Sequence, residues 1–178
     1  MKKQFLILAL MILSIPLCMG QKFNTLEMHY HDKPIVEMEL NGKKTWVLLD
    51  TGSDISVLNL KAKDKYEFHA HQDFNQTIKV AGFGTRHNEL HQVTNAELYF
   101  GDVKLRSVYY AYDISHIAAS IRARTDKTIT AIIGTNLMRD YGFVIDMGTQ
   151  KVSMTYKVKK KDRNQDDNNG LFTIAKRN

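Results

Sequence analysis

The sequence predicts an all-β protein, a small barrel or sandwich with one or two short helices. Two observations indicate this fold class. Apolar and polar residues alternate with a period of two over short runs, and turn-forming pairs separate these runs at close intervals. A helical period covers only two short stretches. Since each short strand must bury one face, a barrel or a sandwich is the layered arrangement that such a pattern favours.

Residues 1–20 have the pattern of a secretory signal peptide. Lys2 and Lys3 precede an apolar run over residues 5–17, which is too short to span a bilayer, and small residues follow near Gly20. We therefore expect cleavage after Gly20 and an exported protein, periplasmic or secreted, with no stable membrane span.

The single cysteine, Cys18, lies inside the expected signal peptide. Leu17 stands before it, where the bacterial lipoprotein pattern has a small residue, so a lipid anchor at Cys18 is less favoured than a soluble exported chain. The mature chain then has no disulfide, no thiol nucleophile and no cysteine-based zinc site.

The net charge of +6 is distributed unevenly. The segment 157–178 carries seven basic and three acidic residues, which is typical of a flexible, solvated tail. Residues 21–156 carry equal numbers of basic and acidic side chains. This range is long enough for one domain, and its neutral balance does not indicate a groove for nucleic acid.

Strands and hairpins follow one another along this domain. Alternating apolar residues favour a strand over residues 21–31, although an activation segment is the alternative. Asn41-Gly42, a pair that tolerates positive φ, predicts a hairpin that returns the chain along residues 43–49 to Asp50. Two further hairpins are predicted where residues 98–100 meet 103–105 and where residues 143–146 meet 151–154.

Two short helices are also predicted. The first has Ser115 as its candidate N-cap, and the second, over residues 136–141, ends at Gly142. The apolar face of the first helix consists of Ile114, Ile117, Ala118 and Ile121.

One acid stands where an apolar strand ends. Residues 46–49 lead directly into Asp50-Thr51-Gly52-Ser53, and Asp54 follows. A carboxylate at the end of a buried strand is costly unless it is hydrogen-bonded or paired. Asp50 is therefore either a structural cap, held by neighbouring amides, or a catalytic residue.

Two glycine-bearing segments bear on this choice. One is a turn between β-prone runs that could fold over a cleft as a hairpin. The other is an apolar strand that ends at a glycine just before a short helix. These segments are Gly82-Phe83-Gly84 and Ile132-Ile133-Gly134.

In this order, the three segments resemble the signature of the retropepsin-like aspartic proteases, the single-domain family that includes the retroviral enzymes. The resemblance covers roughly residues 34–156. It implies a small closed acid-protease barrel in which residues 82–84 form the tip of a flap hairpin. It also implies an aspartic endopeptidase in which water activated by Asp50 hydrolyses peptide bonds, with no cofactor or metal and with a peptide or protein as substrate.

This chemistry needs two carboxyl groups close enough to share one proton. The chain has one Asp-Thr-Gly and is too short for a second lobe. The resemblance therefore implies a homodimer in which each subunit supplies one Asp50. Two alternatives stay open: a barrel that binds peptides or a partner protein without cleaving them, and a site shared with a different protein.

The resemblance also assigns roles to the neighbours of Asp50. Thr51 braces the two loops across the dimer axis, and Gly52 brings the backbone close to the carboxylate. A hydroxyl donated from Ser53 would favour ionised Asp50, and we therefore expect an acidic optimum. The residues expected to bind substrate are Asp54, Gly82, Phe83, Gly84, Ile132, Ile133 and Gly134.

The chain departs from the retroviral pattern after Gly134, where Thr135 stands in place of an arginine. The ion-pair partner that the pattern supplies to Asp54 is missing there, and Arg139 is the candidate substitute.

Other chemistry-bearing residues are assigned structural roles. Asp146-Met147-Gly148-Thr149 looks like a second Asp-x-Gly, but it falls in a predicted hairpin turn. The histidine pairs have the same-face spacing of metal ligands on a strand, yet surface histidines are favoured. These pairs are His29 with His31 and His69 with His71.

Overall fold

The computed structural model describes residues 21–27, 33–72 and 90–157. The predictions for residues 1–20, for the flap residues 82–84 and for residues 158–178 lie outside this part of the chain, as does the pair His29 and His31. Contacts divide the chain into two compact units, and the larger spans Phe23–Thr155.

The described residues are mostly β with few short helices, which confirms the predicted fold class. The strands are β1 (Gln21–Glu27), β2 (Ile35–Leu40), β3 (Lys43–Leu49), β4 (Val57–Asn59), β5 (His69–Gln72), β6 (His91–Thr94), β7 (Leu98–Phe100), β8 (Val103–Leu105), β9 (Tyr110–Tyr112), β10 (Ile129–Ile133), β11 (Phe143–Asp146) and β12 (Lys151–Lys157). A 3-10 helix (Leu60–Ala62) and three helices, α1 (Lys63–Tyr66), α2 (Ser115–Thr125) and α3 (Thr135–Asp140), complete the described elements.

Two sheets are formed by these strands. The larger has the order β5-β6-β9-β4-β10-β3-β2-β7-β8, and the smaller has the order β1-β12-β11. The described pairings arrange the larger sheet linearly, so the closure of the barrel stays a prediction.

The three predicted hairpins are confirmed. Asn41 and Gly42 have φ angles of 48° and 75°, which is the left-handed turn geometry that the Asn-Gly pair favours. β2 and β3 pair in the register that this turn sets, from Leu40 opposite Lys43 to Ile35 opposite Leu48. The other two hairpins join β7 to β8 and β11 to β12.

The two longer helices lie where the sequence predicts them. Ile114, Ala118 and Ile121 are buried in a cluster with residues of β2, β3, β4 and β10. The assignment of Ser115 as N-cap is wrong: α2 begins at Ser115, whose N–H donates to Asp113 Oδ1 at 3.0 Å. No helix among the described residues is long and apolar enough to cross a bilayer.

The centre of the larger sheet is β10, all five residues of which are buried. It runs parallel to β3, with Ile133 opposite Leu49, and antiparallel to β4. Because parallel neighbours end at the same edge of a sheet, the chain leaves β3 at Asp50 beside the point where it leaves β10 at Gly134. This pairing places residues that are far apart in sequence around one loop.

Candidate active site

Asp50 lies at the boundary between the core and solvent. Leu49 is 2% exposed, while Asp50 is intermediate in exposure and Thr51 and Gly52 are exposed. The N–H of Asp50 donates to the carbonyl oxygen of Ile133 at 2.9 Å. The apolar strand therefore delivers the acid to the sheet edge, and β10 fixes its backbone there.

The carboxylate of Asp50 is held by its own loop. The N–H of Gly52 donates to Asp50 Oδ1 at 2.9 Å. A Cβ at Gly52 would lie 3.3 Å from the same oxygen, closer than ordinary van der Waals contact. None of the described residues donates a hydrogen bond to Oδ2. One carboxylate oxygen is thus held in place by the backbone of its own loop.

Ser53 does not make the contact expected of it. Its hydroxyl donates to the carbonyl oxygen of Ile55 at 3.0 Å and not to the Asp50 carboxylate. A hydrogen bond from a serine hydroxyl to the backbone two residues ahead is a local contact typical of turns. The expected hydrogen bond from the Ser53 hydroxyl to Asp50 is therefore wrong, and the acidic optimum stays a prediction. The N–H of Ser53 does donate to the carbonyl oxygen of Asp50 at 3.2 Å.

Gly134, directly after β10, lies very close to the backbone of the segment that follows Asp50. A Cβ at this position would lie 2.8 Å from the carbonyl carbons of Asp54 and Ile55. The N–H of Gly134 donates to the buried hydroxyl oxygen of Ser56 at 3.2 Å. A side chain at position 134 would therefore displace the loop that carries Asp50.

Ile132 and Ile133, predicted to bind substrate, are 2% and 0% exposed. Both belong to β10 and are buried in the protein core, and their contact with substrate stays a prediction. The flap residues belong to the range that the structure does not describe, so their role also stays a prediction.

The side chains of Asp54 and Thr135 are in contact. The hydroxyl oxygen of Thr135 lies 3.2 Å from Asp54 Oδ1 and 3.1 Å from the carbonyl oxygen of Ser53. The N–H of Thr135 donates to the same carbonyl oxygen at 2.7 Å. Sequence reasoning noted Thr135 only as a missing arginine. Its position directly after Gly134 was the signal that could have identified this contact.

Arg139 does not replace that arginine. Its Nη2 donates to Asn136 Oδ1 at 3.0 Å, one turn of α3 away, and it forms no ion pair with Asp54. The substitute role assigned to Arg139 is therefore wrong.

An open depression of about 400 Å³ lies beside the loop. Exposed Thr51 and half-buried Thr135 line it on the side of the Asp50 loop. The remaining lining residues belong to α3 and β11 and to the turn between them, and they are Met138, Arg139, Gly142, Phe143 and Ile145.

The second Asp-x-Gly is a hairpin turn, as the sequence predicts. Asp146 Oδ1 accepts the N–H groups of Gly148 and Thr149, each at 2.9 Å. The hydrogen bonds from Thr149 hold the pKa of the exposed Asp146 carboxyl below its usual value, and the Gly148 N–H adds to the effect.

His69 and His71 share one face of β5, with their ring centroids 6.3 Å apart. His71 Nε2 lies 3.0 Å from the hydroxyl oxygen of Thr94 on β6. Within the part of the chain that the structure describes, no three or more histidines and acids converge as metal ligands.

The sequence matches a known protein family. Residues 36–137 match a family model described as aspartyl protease. This range contains the loop after β3, the strand β10 and the beginning of α3. No curated protein matches the sequence.

Solved structures supply further similarities. The chain is similar to a retropepsin-like aspartic protease from Rickettsia conorii, with 14% identity, a TM-score of 0.49, and coverage of 77% of this chain and 92% of that chain. It is similar to the EIAV protease complexed with the inhibitor HBY-793, with 19% identity, a TM-score of 0.44, and coverage of 61% and 86%. It is also similar to the retroviral protease-like domain of Ddi1 from Leishmania major, with 13% identity, a TM-score of 0.46, and coverage of 72% and 95%.

Proposed function

The chain belongs to the aspartyl protease family, and we propose that it is an aspartic endopeptidase in which Asp50 activates the attacking water. The observation that carries this proposal is the setting of the Asp50 carboxylate. It stands at the end of a buried strand, is partly exposed, and has one oxygen held by the Gly52 N–H at 2.9 Å.

A single carboxyl group cannot perform the whole reaction. One acid must take a proton from water while another donates one, and two adjacent carboxyl groups share a single proton because both cannot ionise at close range. We therefore propose an isologous homodimer that brings Asp50 together with the partner's Asp50.

The surface beside Thr51 supports a pairing of this kind. Exposed Thr51 lines the open depression together with Phe143 and Ile145 of β11. Half-buried apolar side chains that line a surface depression favour contact with a partner.

The proposed reaction moves protons between the two acids. The ionised Asp50 takes a proton from water, and the resulting hydroxide forms a bond to the carbonyl carbon of the scissile peptide. The protonated Asp50 of the other subunit donates to the carbonyl oxygen. Collapse of this tetrahedral intermediate breaks the C–N bond, and the departing nitrogen receives a proton from the acid pair.

The substrate in this proposal is an extended peptide. It would lie between the floor loop at residues 50–54 and the flap that the sequence predicts at residues 82–84, with alternate side chains directed into apolar pockets. We also propose that the protein is exported. The basic start, the short apolar run and the small residues before position 21 support that location.

Cleavage of an unstructured protein by the purified chain, followed between about pH 3 and 7, tests the proposal. The wild type and Asp146→Asn should cleave, whereas Asp50→Asn should not. Asp146→Asn is a matched control because Asp146 also stands at the end of a strand and also accepts an N–H from a glycine two residues ahead. Cleavage by Asp50→Asn would refute the mechanism, and binding without cleavage by the wild type would favour a peptide-binding module.

A further inference from the structure

The loop that carries Asp50 is connected to α3 by a residue that has no assigned role. We propose that Thr135 is a positioning residue, whose hydroxyl holds the segment Ser53-Asp54 and thereby keeps the Asp50 carboxylate in place. This inference rests on the proposed function, because it concerns the same loop.

The contacts of Thr135 come from both its backbone and its side chain. The N–H donates to the Ser53 carbonyl oxygen at 2.7 Å, and the hydroxyl lies within 3.1 Å of that oxygen and 3.2 Å of Asp54 Oδ1. A hydroxyl has one proton to donate. The proton is thus shared between these two acceptors or goes to one of them, and either choice ties the loop to α3.

Hydrogen bonds within this loop connect Ser53 to Asp50 and its carboxylate. The N–H of Ser53 donates to the Asp50 carbonyl oxygen at 3.2 Å, and the N–H of Gly52 donates to Asp50 Oδ1 at 2.9 Å. Displacement of Ser53 would therefore shift both the backbone and the side chain of Asp50. Arg139 donates to Asn136 and not to Asp54. The neutral hydroxyl of Thr135 therefore takes the place of a cationic side chain in holding Asp54.

Thr135→Val removes the hydroxyl, retains the branched shape and keeps the backbone N–H. Thr135→Ser restores the hydroxyl and serves as the rescue variant. Thr125→Val is the matched control: the Thr125 hydroxyl donates to the Ile121 carbonyl oxygen at 2.9 Å, at the far end of α2. The same hydroxyl accepts the N–H of Lys127 at 3.2 Å, so Thr125→Val loses two hydroxyl contacts, away from the loop.

The kinetic prediction is a selective loss in turnover. Thr135→Val should lower kcat about tenfold or more, because small displacements of a reacting group have large effects on rate. KM should change by less than about threefold, since the hydroxyl acts through the loop. Thr135→Ser and Thr125→Val should retain wild-type kcat. An equal loss in Thr125→Val would identify a general stability effect and overturn the proposal.

Amide hydrogen exchange tests the same inference without reference to activity. In Thr135→Val the amides of Gly52 and Asn136 should exchange at least about threefold faster, because the loop opens more often. The amide of Gly148, which donates to Asp146 Oδ1, should be unchanged. Asp54→Ala is a second variant: it removes the carboxylate oxygen that lies 3.2 Å from the Thr135 hydroxyl but keeps the backbone carbonyl. It should loosen the loop and speed exchange at Asn136, whose N–H donates to that carbonyl oxygen at 3.2 Å.

The two readouts separate the failure of this inference from the failure of the proposed function. Unchanged exchange at Gly52 and Asn136 in Thr135→Val would overturn the positioning role, whatever the activity. A wild-type protein that cleaves nothing would refute the endopeptidase, while faster exchange in Thr135→Val would still support the role of the hydroxyl in holding the loop.

Discussion

The molecule contains two Asp-x-Gly turns with nearly the same local geometry. In each, the glycine N–H donates to Oδ1 of the aspartate at 2.9 Å. In each, a Cβ on the glycine would lie 3.3 Å from that oxygen. The turns are Asp50-Thr51-Gly52 and Asp146-Met147-Gly148.

The surroundings of the two turns differ. Asp50 leaves a buried strand, and its loop is joined to β10 and α3 through the carbonyl oxygens of Ile133, Ser53 and Asp54. Asp146 leaves the half-exposed strand β11, and its Oδ1 accepts a second N–H, from Thr149. The same short motif is thus a local turn at one place and a loop fixed by distant elements at the other. Tertiary contacts, and not the motif, distinguish the candidate catalytic acid.

The largest effect on stability should come from Gly134→Ala. Its Cβ would overlap the backbone of Asp54 and Ile55, which cannot shift without moving the Asp50 loop. We expect a loss of about 2–4 kcal/mol in the free energy of unfolding, as for other cases of overpacking. Urea unfolding measures it, and Gly148→Ala, in the exposed turn, is the control that should lose less. Equal losses in the two variants would contradict the difference between the turns.

Removal of the hydroxyl of Ser56 should have the next largest effect. The buried N–H of Gly134 donates to Ser56 Oγ at 3.2 Å. Ser56→Ala leaves that N–H without its acceptor, at a cost of about 1–3 kcal/mol in unfolding free energy. Ser107→Ala is the control, because the Ser107 hydroxyl is exposed and its contact with the Val108 carbonyl oxygen is long, 3.4 Å. A loss in Ser56→Ala no greater than in Ser107→Ala would count against the anchoring of the loop.

Gly52→Ala and Gly148→Ala should separate activity from stability. Both place a methyl group 3.3 Å from an aspartate oxygen. Gly52→Ala should lower kcat about tenfold, which corresponds to about 1.4 kcal/mol, because it displaces the Asp50 carboxylate. Gly148→Ala should leave kcat unchanged. Steady-state cleavage rates of the two variants measure kcat. A comparable loss of kcat in Gly148→Ala would show that the Asp146 turn also belongs to the active site.

The smallest expected effect is on the pH dependence of stability. The Thr149 hydrogen bonds lower the pKa of Asp146 in the folded protein. A group with a lowered folded pKa contributes stability above its unfolded pKa, and this contribution is lost as the pH falls through the folded pKa. Asp146→Asn should therefore weaken the loss of unfolding free energy on acidification. Parallel acid profiles for the wild type and the variant would contradict this assignment.

Local sequence signals predicted much of this structure. The Asn41-Gly42 turn sets the register of β2 and β3 through the geometry of two residues, and the apolar run before Asp50 predicts a buried strand that ends at the acid. Such features depend on neighbours in the sequence. They could be inferred without knowledge of the rest of the fold.

The contacts that fix the loop could not be inferred in this way. Thr135 and Ser53 are 82 positions apart, and they meet only because β10 runs parallel to β3. The sequence pattern suggested the Asp50 carboxylate as the acceptor for the Ser53 hydroxyl, but the turn geometry directs this hydroxyl to the carbonyl oxygen of Ile55. Arg139 was likewise a plausible partner for Asp54 until α3 placed Asn136 beside it.

Subunit mixing tests most directly whether catalysis requires Asp50 from two copies of the chain. Wild-type protein is equilibrated with Asp50→Asn at a fixed total concentration, and cleavage is measured against the wild-type fraction. If one acid comes from each subunit, activity should follow the square of that fraction, so that equal mixing gives about half the activity per wild-type chain. Activity that stays proportional to the wild-type fraction, with exchange of subunits demonstrated, would contradict the account.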